Sequence, residues 1–331
     1  MKIVFFDVQK WERSKIAKAY PSAILEKSPF DSQTAEKYKT AEIISGFIYS
    51  KFNKENLEKL PNLKYITTRS TGYDHIDLNY CKDKKILVSN VPDYGSKTVA
   101  EYAFALILEI TKKLNESIQM AKLQKPLNRS KIRGFELYNK TLGLLGFGKI
   151  GKETAKIADG FGMKILVYNR SRYPEFEKKY NLKFADLKTV LQKSDILSLH
   201  LPLTEETYHI LNKDTLKLCK KGSIIINTAR GGLIDQSALL CAIEDNHIAM
   251  AGLDVLEEED DLQEEVEILT GKINSNLNYK EVLINHILIN HPKIIVTPHN
   301  AFNTKEALDR ITMTTISNIN NFLKKTPTNL I

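Results

Sequence analysis

The chain of 331 residues is poor in cysteine: it has three, and no two of them show the C-x-x-C spacing of a metal or redox site. Cys81, Cys219 and Cys241 are therefore predicted to be free thiols in a reducing compartment. The sequence also lacks an apolar run close to the roughly 18 residues of a membrane span. The apolar residues before Asp7 resemble a first strand and not a signal peptide. We expect a cytoplasmic protein without a metal and without a membrane partner.

No block of basic residues stands out, although the formal net charge is +8 and the sequence pI is about 9.0. The lysines are spread along the chain, which favours a solvated basic surface over a nucleic-acid partner. The length suggests about two domains.

Three glycines mark the most informative segment, L-G-L-L-G-F-G-K-I-G. Gly146, Gly148 and Gly151 have G-x-G-x-x-G spacing after a strand-like run, Thr141–Leu145, and helical spacing of apolar residues follows. In a dinucleotide site the first glycine permits the tight turn, the second lets the backbone approach the pyrophosphate, and the third lets helix and strand pack closely. The alternative is a glycine turn in an α/β protein that binds no nucleotide.

Strand-like and helix-like segments alternate along the chain, which predicts parallel sheets covered on both faces. The predicted strands are Ile3–Phe6, Ile43–Ile48, Tyr65–Thr67, Ile86–Val88, Thr141–Leu145, Lys164–Tyr168, Ile196–Leu199, Ser223–Asn227, Met250–Val255 and Ile294–Thr297. The clearest predicted helices are Trp11–Ala19, Lys54–Leu60, Ser96–Leu114, with Ser96 as N-cap, and Thr304–Leu323.

Several predicted strands are followed by residues that could bind a ligand or take part in a reaction. Ser70-Thr71-Gly72 follows one strand and could form an anion nest, or be an ordinary turn. His75, close by, is interpreted as structural. Asn169 stands where an NAD site usually has an acidic residue for the ribose, and Arg170 beside it could pair with a 2′-phosphate.

Three further strand ends offer Arg230, a glutamate within Glu257–Glu259, and His299. Hydride transfer to a 2-oxo acid needs a cation that orients the substrate, an acid that protonates the developing alkoxide, and a carboxylate that holds the acid. Any one of these residues alone would more often be a surface or packing residue. Three such residues at the ends of successive strands, in a chain that also has a nucleotide-binding motif, favour a catalytic role.

The same segments resemble the D-isomer-specific 2-hydroxyacid dehydrogenase family along nearly the whole chain. The matching segments are R-S-T-G-Y-D-H-I-D, V-A-E-Y-A-F-A, G-F-G-K-I-G, H-L-P-L-T, I-N-T-A-R-G-G-L-I-D, A-G-L-D-V-L-E-E-E and T-P-H. Within the family the chain is most similar to the D-lactate dehydrogenase branch, on V-P-D-Y-G and on the long segment between Asp254 and His299.

The resemblance implies a Rossmann NAD(P)-binding domain, residues 100–299, inserted into a flavodoxin-like substrate domain made of residues 1–99 and 300–331. It implies a homodimer, NAD or NADP as cofactor, and pyruvate to D-lactate as the expected reaction. It makes Arg230 the substrate-orienting cation, His299 the acid–base group and Glu259 its partner. Thr71, Gly72 and Tyr94 are implied to bind substrate. The implied cofactor residues are Gly146, Phe147, Gly148, Lys149, Ile150, Gly151, Asn169, Arg170, Leu201, Pro202, Thr207, Thr228, Ala229 and Asp254.

Two departures from the family pattern keep alternatives open. Asn169 replaces the acidic residue, which puts strict NAD preference in doubt and gives weight to a glyoxylate or hydroxypyruvate reductase. Asn300 stands where a β-branched residue is more usual. A nucleotide-sensing, co-repressor-like protein is the alternative from another class, although the intact Arg230, Glu259 and His299 favour an enzyme.

Overall fold

Two compact units make up the chain in the structure, a computed structural model that describes residues 1–122, 129–130, 132–257 and 279–331. The first unit is Met1–Gly95 with Asn303–Ile331, and the second unit is Ser96–Phe302. Each contains its own parallel sheet, which confirms the predicted α/β class with two doubly wound sheets. The assignment of substrate and cofactor to these units stays a prediction.

The first unit is built on five described strands in the order β2-β1-β3-β4-β5, all parallel. The strands are β1 Ile3–Phe5, β2 Ile24–Leu25, β3 Ile43–Gly46, β4 Tyr65–Thr68 and β5 Leu87–Ser89. Helices Lys10–Ala19, Ser32–Lys37, Lys54–Leu57, Leu78–Asp83 and Lys305–Leu323 belong to the same unit. Buried apolar side chains cover both faces of the sheet, as its unbroken apolar strands require.

The second unit is built on seven described strands in the order β12-β11-β10-β9-β6-β7-β8. The strands are β6 Thr141–Leu145, β7 Lys164–Tyr168, β8 Leu182–Phe184, β9 Ile196–Leu199, β10 Ser223–Asn227, β11 Ile248–Leu253 and β12 Ile294–Val296. The strand order reverses direction between β6 and β9. Because open α/β sheets bind ligands at such a switch point, the carboxyl end of β6 is the expected ligand position.

The helices of the second unit cover both faces of this sheet. They are Ser96–Lys112, Leu114–Lys122, Lys149–Gly160, Pro174–Lys179, Leu187–Lys193, Lys213–Leu218, Gln236–Glu244 and Tyr279–Asn290. None of the described helices has the length and hydropathy needed to span a bilayer.

The long helix predicted as Ser96–Leu114 differs from the structure at both ends. Ser96 is its first helical residue and not its cap, and the helix ends at Lys112. Lys113 has φ 51°, a left-handed conformation that breaks the helix before Leu114–Lys122 begins. The prediction was wrong here because the apolar spacing continues through the break.

A buried ion pair joins the helix Lys10–Ala19 to Arg69, the residue that follows β4. The Arg69 Nε lies 3.1 Å from the Glu12 carboxylate, and both side chains are only 1% exposed. The guanidinium also donates to the Phe6 carbonyl at 2.5 Å and to the Ser45 hydroxyl at 3.1 Å. Burial raises the pKa of Glu12 and lowers that of Arg69, and each charge opposes the shift of the other. Arg69 therefore joins the ends of β1, β3 and β4 through one paired charge.

We expect Glu12→Gln to destabilise the first unit by about 3–5 kcal/mol, because it leaves the Arg69 charge buried without its counter-ion. Fluorescence of Trp11, the only tryptophan, reports the unfolding of this unit in urea, since it lies in the helix that carries Glu12.

Glu36→Gln is the matched control, because the Glu36 carboxylate pairs with Lys39 where both side chains are more than half exposed. The control should leave the urea midpoint unchanged. Equal midpoints in the two variants would show that the buried pair does not stabilise the unit.

Candidate active site

The glycine turn connects β6 to the helix Lys149–Gly160. Gly146 has φ 104°, and a Cβ there would lie 2.5 Å from the His200 carbonyl oxygen. A Cβ at Gly151 would lie 2.4 Å from the Gly146 carbonyl oxygen, whereas a Cβ at Gly148 would meet nothing within 4 Å. Gly146 and Gly151 thus permit the turn itself, and the space beside Gly148 leaves room for a ligand. Phe147, Lys149 and Ile150 complete the turn and begin the helix, whose first N–H groups favour anions.

Asn169 braces this turn from the end of β7. Its Oδ1 accepts a hydrogen bond from the Phe147 amide at 3.0 Å, and its Nδ2 donates to the Ser171 carbonyl at 2.7 Å. The neighbouring Arg170 is exposed. The amide of Asn169 therefore shapes the ribose side of the predicted site, and Arg170 supplies its charge.

The segment after β9 contains three predicted cofactor residues, Leu201, Pro202 and Thr207. The Thr207 hydroxyl donates to the Pro202 carbonyl at 2.7 Å and accepts from the Thr204 amide at 2.8 Å, which closes the loop. His200 precedes them, and burial lowers its pKa to about 3. His200 is therefore neutral at physiological pH and cannot serve as an imidazolium acid there.

The turn after β10 presents Thr228, Ala229 and Arg230. Asn227 shapes the turn: its Oδ1 accepts from the Ala229 amide at 3.0 Å and its Nδ2 donates to the Arg230 carbonyl at 2.8 Å. The Thr228 hydroxyl is buried without a hydrogen-bond partner in the described part of the chain. An unpaired buried hydroxyl fits a position where a ligand supplies the missing partner.

Gly231 lets this turn pack against the segment that follows β11. A Cβ at Gly231 would lie 2.1 Å from the Leu256 carbonyl carbon and 2.3 Å from the Glu257 nitrogen. Only glycine allows this contact, so the backbone carrying Arg230 is fixed relative to the backbone after Asp254.

Asp254 holds the turn that carries His299. Its carboxylate is fully buried and accepts three hydrogen bonds, from the Thr297 hydroxyl at 2.5 Å, the Asn300 amide at 2.9 Å and the Ala301 amide at 2.8 Å. The His299 amide donates to the Asp254 carbonyl at 2.9 Å. His299 has φ 48°, a strained conformation for a residue other than glycine. Burial raises the pKa of Asp254, and the three donors oppose that shift.

Glu259, the predicted partner of His299, lies outside the described residues. Glu257 is described, and its carboxylate accepts from the Tyr208 hydroxyl at 2.9 Å and lies 3.1 Å from the His209 Nε2. The imidazole of His209 stacks on the Tyr208 ring with centroids 3.9 Å apart. Glu257 thus belongs to a cluster with another histidine, which sequence reasoning did not anticipate.

The first unit carries the predicted substrate loop at the end of β4. The Thr71 hydroxyl donates to the Val91 carbonyl at 2.7 Å, and the Asn90 side-chain amide donates to the Thr71 carbonyl at 2.8 Å. Ser70 donates to the Gly72 carbonyl at 2.6 Å. Among the described residues, neither the Thr71 nor the Gly72 amide N–H has an acceptor within hydrogen-bonding distance. Three hydrogen bonds therefore hold the loop, and its two amide donors could bind an anion.

Two tyrosines lie at the same edge of the first sheet. The Tyr94 carbonyl accepts a hydrogen bond from Arg310 Nε of the last helix at 2.7 Å. Tyr49 follows β3 and is 48% exposed. The Tyr49 ring contacts Phe47 edge-on.

Asn227 was not predicted as a site residue, although it lies in the matching segment I-N-T-A-R-G-G-L-I-D, and its side chain shapes the turn that carries Arg230. No group of three or more His, Cys, Asp or Glu side chains that could hold a metal occurs among the residues that the structure describes. Burial raises the pKa of the Cys219 thiol to about 12 and that of Cys81 to about 11, so neither is a thiolate near neutral pH.

Comparisons with known proteins identify similar chains. Residues 104–301 match the family profile described as D-isomer specific 2-hydroxyacid dehydrogenase, NAD binding domain. The glyoxylate reductase of Thermococcus litoralis is 38% identical over 79% of this chain and 77% of its own length. The D-lactate dehydrogenase of Escherichia coli is 32% identical over 98% of this chain and 97% of its own. The crystal structure of D-lactate dehydrogenase from Aquifex aeolicus, complexed with NAD and lactic acid, has a TM-score of 0.89 and 35% identity, covering 98% of this chain and 96% of that one.

We expect Asp254→Asn to destabilise the second unit by about 1–3 kcal/mol, because the amide NH₂ would replace one carboxylate oxygen and leave the Asn300 or Ala301 N–H without an acceptor. Thermal unfolding measures the loss. Asp214→Asn, at a side chain that is 91% exposed, is the matched control and should leave the melting temperature unchanged. A melting temperature for Asp254→Asn equal to that of the control would mean that the turn does not depend on the carboxylate.

Proposed function

This chain belongs to the D-isomer-specific 2-hydroxyacid dehydrogenase family, and from that membership we propose that it reduces pyruvate to D-lactate with NADPH or NADH. The observation that carries the proposal is the arrangement of Arg230 and His299 at the carboxyl edge of one sheet, where Asn227 and Asp254 hold their turns. The likeness along 98% of the chain to a D-lactate dehydrogenase with bound lactic acid supports pyruvate as the substrate.

A nicotinamide cofactor fits the second unit, which we propose as the cofactor domain. The open side of Gly148 and the helix start at Lys149 would hold the pyrophosphate, and the unpaired Thr228 hydroxyl offers a further hydrogen bond. Asn169 and Arg170 would take the ribose that carries the 2′-hydroxyl or 2′-phosphate. When bound, the cofactor supplies the hydride that reduces the substrate carbonyl.

Arg230 is proposed to orient the 2-oxo acid. A guanidinium can bind a carboxylate and a carbonyl oxygen with two parallel N–H groups, which fixes the plane of the substrate. The same positive charge stabilises the negative charge that develops on the carbonyl oxygen. Asn227 and Gly231 fix the backbone on both sides of Arg230, and its Nη1 donates to the Ala229 carbonyl at 2.7 Å.

His299 is proposed to donate the proton in reduction and to accept it in oxidation. As the carbonyl carbon accepts the hydride, the imidazolium N–H gives its proton to the oxygen, and a hydroxyl group and a neutral imidazole result. A nearby carboxylate stabilises the imidazolium, and Glu259 takes this role in the proposal. The Glu257 carboxylate instead bonds to Tyr208 and His209.

Thr71 and Gly72 are proposed to receive the substrate carboxylate through their two backbone N–H groups, with Tyr94 as a neighbouring substrate residue. The first unit would then be the substrate domain. We also propose a homodimer, which size-exclusion chromatography with light scattering measures directly.

Glyoxylate or hydroxypyruvate reduction is the second candidate. Relatives named glyoxylate reductase, including that of Thermococcus litoralis, favour it, as does the sequence Asn169-Arg170-Ser171 at the ribose end. The substrate side chain distinguishes the two candidates: the methyl group of pyruvate must fit a site that glyoxylate leaves partly empty.

We expect kcat/KM to be highest for pyruvate among pyruvate, glyoxylate, hydroxypyruvate and longer 2-oxo acids, and we expect NADPH to support measurable reduction beside NADH. The assay follows cofactor absorbance with each acid and each cofactor. Glyoxylate preferred by tenfold or more would replace the first candidate by the second. If none of the tested 2-oxo acids is reduced, both candidates are contradicted.

We expect Glu259→Gln to move the alkaline limb of the reduction rate to lower pH, because the lost carboxylate no longer stabilises the protonated imidazole. The acidic limb of the oxidation rate should move in the same direction, since oxidation needs neutral imidazole. Profiles of kcat/KM against pH in both directions measure these shifts.

Glu257→Gln, two residues away, is the matched control and should leave both limbs in place, because its carboxylate binds Tyr208 and His209. A shift in Glu257→Gln with none in Glu259→Gln would reassign the partner of His299.

A further inference from the structure

Lys152 lies on the helix that follows the glycine turn, and its charge is directed towards the segment after β7. Its Nζ lies 4.2 Å from the centroid of the Tyr173 ring and 5.0 Å from that of Phe176. A lysine at a half-buried helix position can adopt many conformations, and contact with two aromatic faces selects a few of them. The ammonium group is therefore held near the Asn169–Tyr173 segment.

The rings that hold Lys152 are part of one braced cluster. Phe147, in the glycine turn, packs edge-on against Phe176 with centroids 5.3 Å apart and lies 6.0 Å from the Tyr173 ring. Asn169 ties the same Phe147 amide to the Ser171 carbonyl. The glycine turn, the Lys152 ammonium and the Asn-Arg-Ser segment are thus fixed relative to one another.

Three positively charged residues, Lys152, Arg170 and Arg172, belong to the helix after the glycine turn and to the segment after β7. In the part of the chain that the structure describes, neither Lys152 nor the exposed Arg170 and Arg172 forms an ion pair. The Lys152 ammonium lies against the Tyr173 ring, next in sequence to Arg172, so positively charged residues flank this segment and favour a bound anion. A phosphate monoester, with a charge of about −1.5 to −2 near neutral pH, has the required charge and three acceptor oxygens.

We propose that Lys152, positioned by Tyr173 and Phe176, acts with Arg170 as a recognition residue for the 2′-phosphate of NADPH, and thereby selects NADPH over NADH. This inference rests on the proposed use of NADPH. The pyrophosphate, which both cofactors share, is the competing target of the Lys152 charge, and it would be bound equally in both.

The experiment compares binding of NADPH and NADH, by cofactor fluorescence without substrate, in the wild type and in Lys152→Met. Methionine keeps the aliphatic stem and removes the charge. We expect the dissociation constant of NADPH to rise about tenfold, the effect of losing one charge-assisted contact, and that of NADH to stay within about twofold. The pair adenosine 2′,5′-bisphosphate and 5′-AMP should show the same contrast, which isolates the 2′-phosphate.

Two variants serve as controls. Lys156→Met removes an exposed lysine from the same helix and should change neither affinity. Lys152→Arg keeps the charge and should retain most of the NADPH affinity. Thermal unfolding verifies that all three variants are folded.

Each other outcome overturns a defined claim. Equal weakening of NADPH and NADH in Lys152→Met would assign the lysine to the pyrophosphate, and no weakening would exclude it from the site. In both cases the proposed use of NADPH stands. A wild type that binds NADH but not NADPH would overturn the NADPH proposal and the role of Lys152 together, while leaving the proposed reduction of pyruvate intact.

Discussion

The Asp254 carboxylate is the interaction on which the rest of the proposed chemistry depends. It is fully buried at the end of β11, where an ionised carboxylate without partners would cost several kcal/mol. Three donors from the turn after β12 offset that cost, and together they hold His299 at φ 48°. The strain at His299 and the charge at Asp254 are each unfavourable alone. The turn geometry that strains His299 also brings the three donors to the Asp254 carboxylate, and those hydrogen bonds in turn stabilise the strained conformation.

The first unit uses a buried charge in a similar way. Arg69 extends β4, pairs with Glu12 and donates to carbonyl and hydroxyl oxygens at the ends of β1 and β3. Thr71 and Gly72, two and three residues further on, form the loop whose amides have no acceptor among the described residues. A loop that presents unpaired N–H groups cannot be held by those groups, so the rigidity has to come from residues beside it. In both units, therefore, a buried charged side chain stabilises the turn that carries predicted site residues.

The sequence allowed much of this architecture to be predicted, where burial on both faces produces short, unbroken apolar runs. Thr141–Leu145, Lys164–Tyr168, Ile196–Leu199 and Ser223–Asn227 match β6, β7, β9 and β10 residue for residue, because glycine or polar residues end each run. The side-chain bonds could not be predicted. The Asp254 carboxylate bonds amides that lie 46 and 47 residues away in the sequence, and the pairing of Glu257 with His209 spans 48 residues.

Asn169 shows how such a bond bears on the proposed choice of cofactor. An aspartate there would still accept from the Phe147 amide, and its charge would repel a 2′-phosphate and favour NADH. It could not donate to the Ser171 carbonyl, as the Asn169 Nδ2 does at 2.7 Å, and two oxygens would then face each other. The substitution would disturb the segment that carries Arg170 while it changes the charge. A clean change towards NADH therefore requires a second substitution that releases Ser171 from this bond. The proposed preference for NADPH would then depend on the braced segment as a whole and not on the residue at its first position.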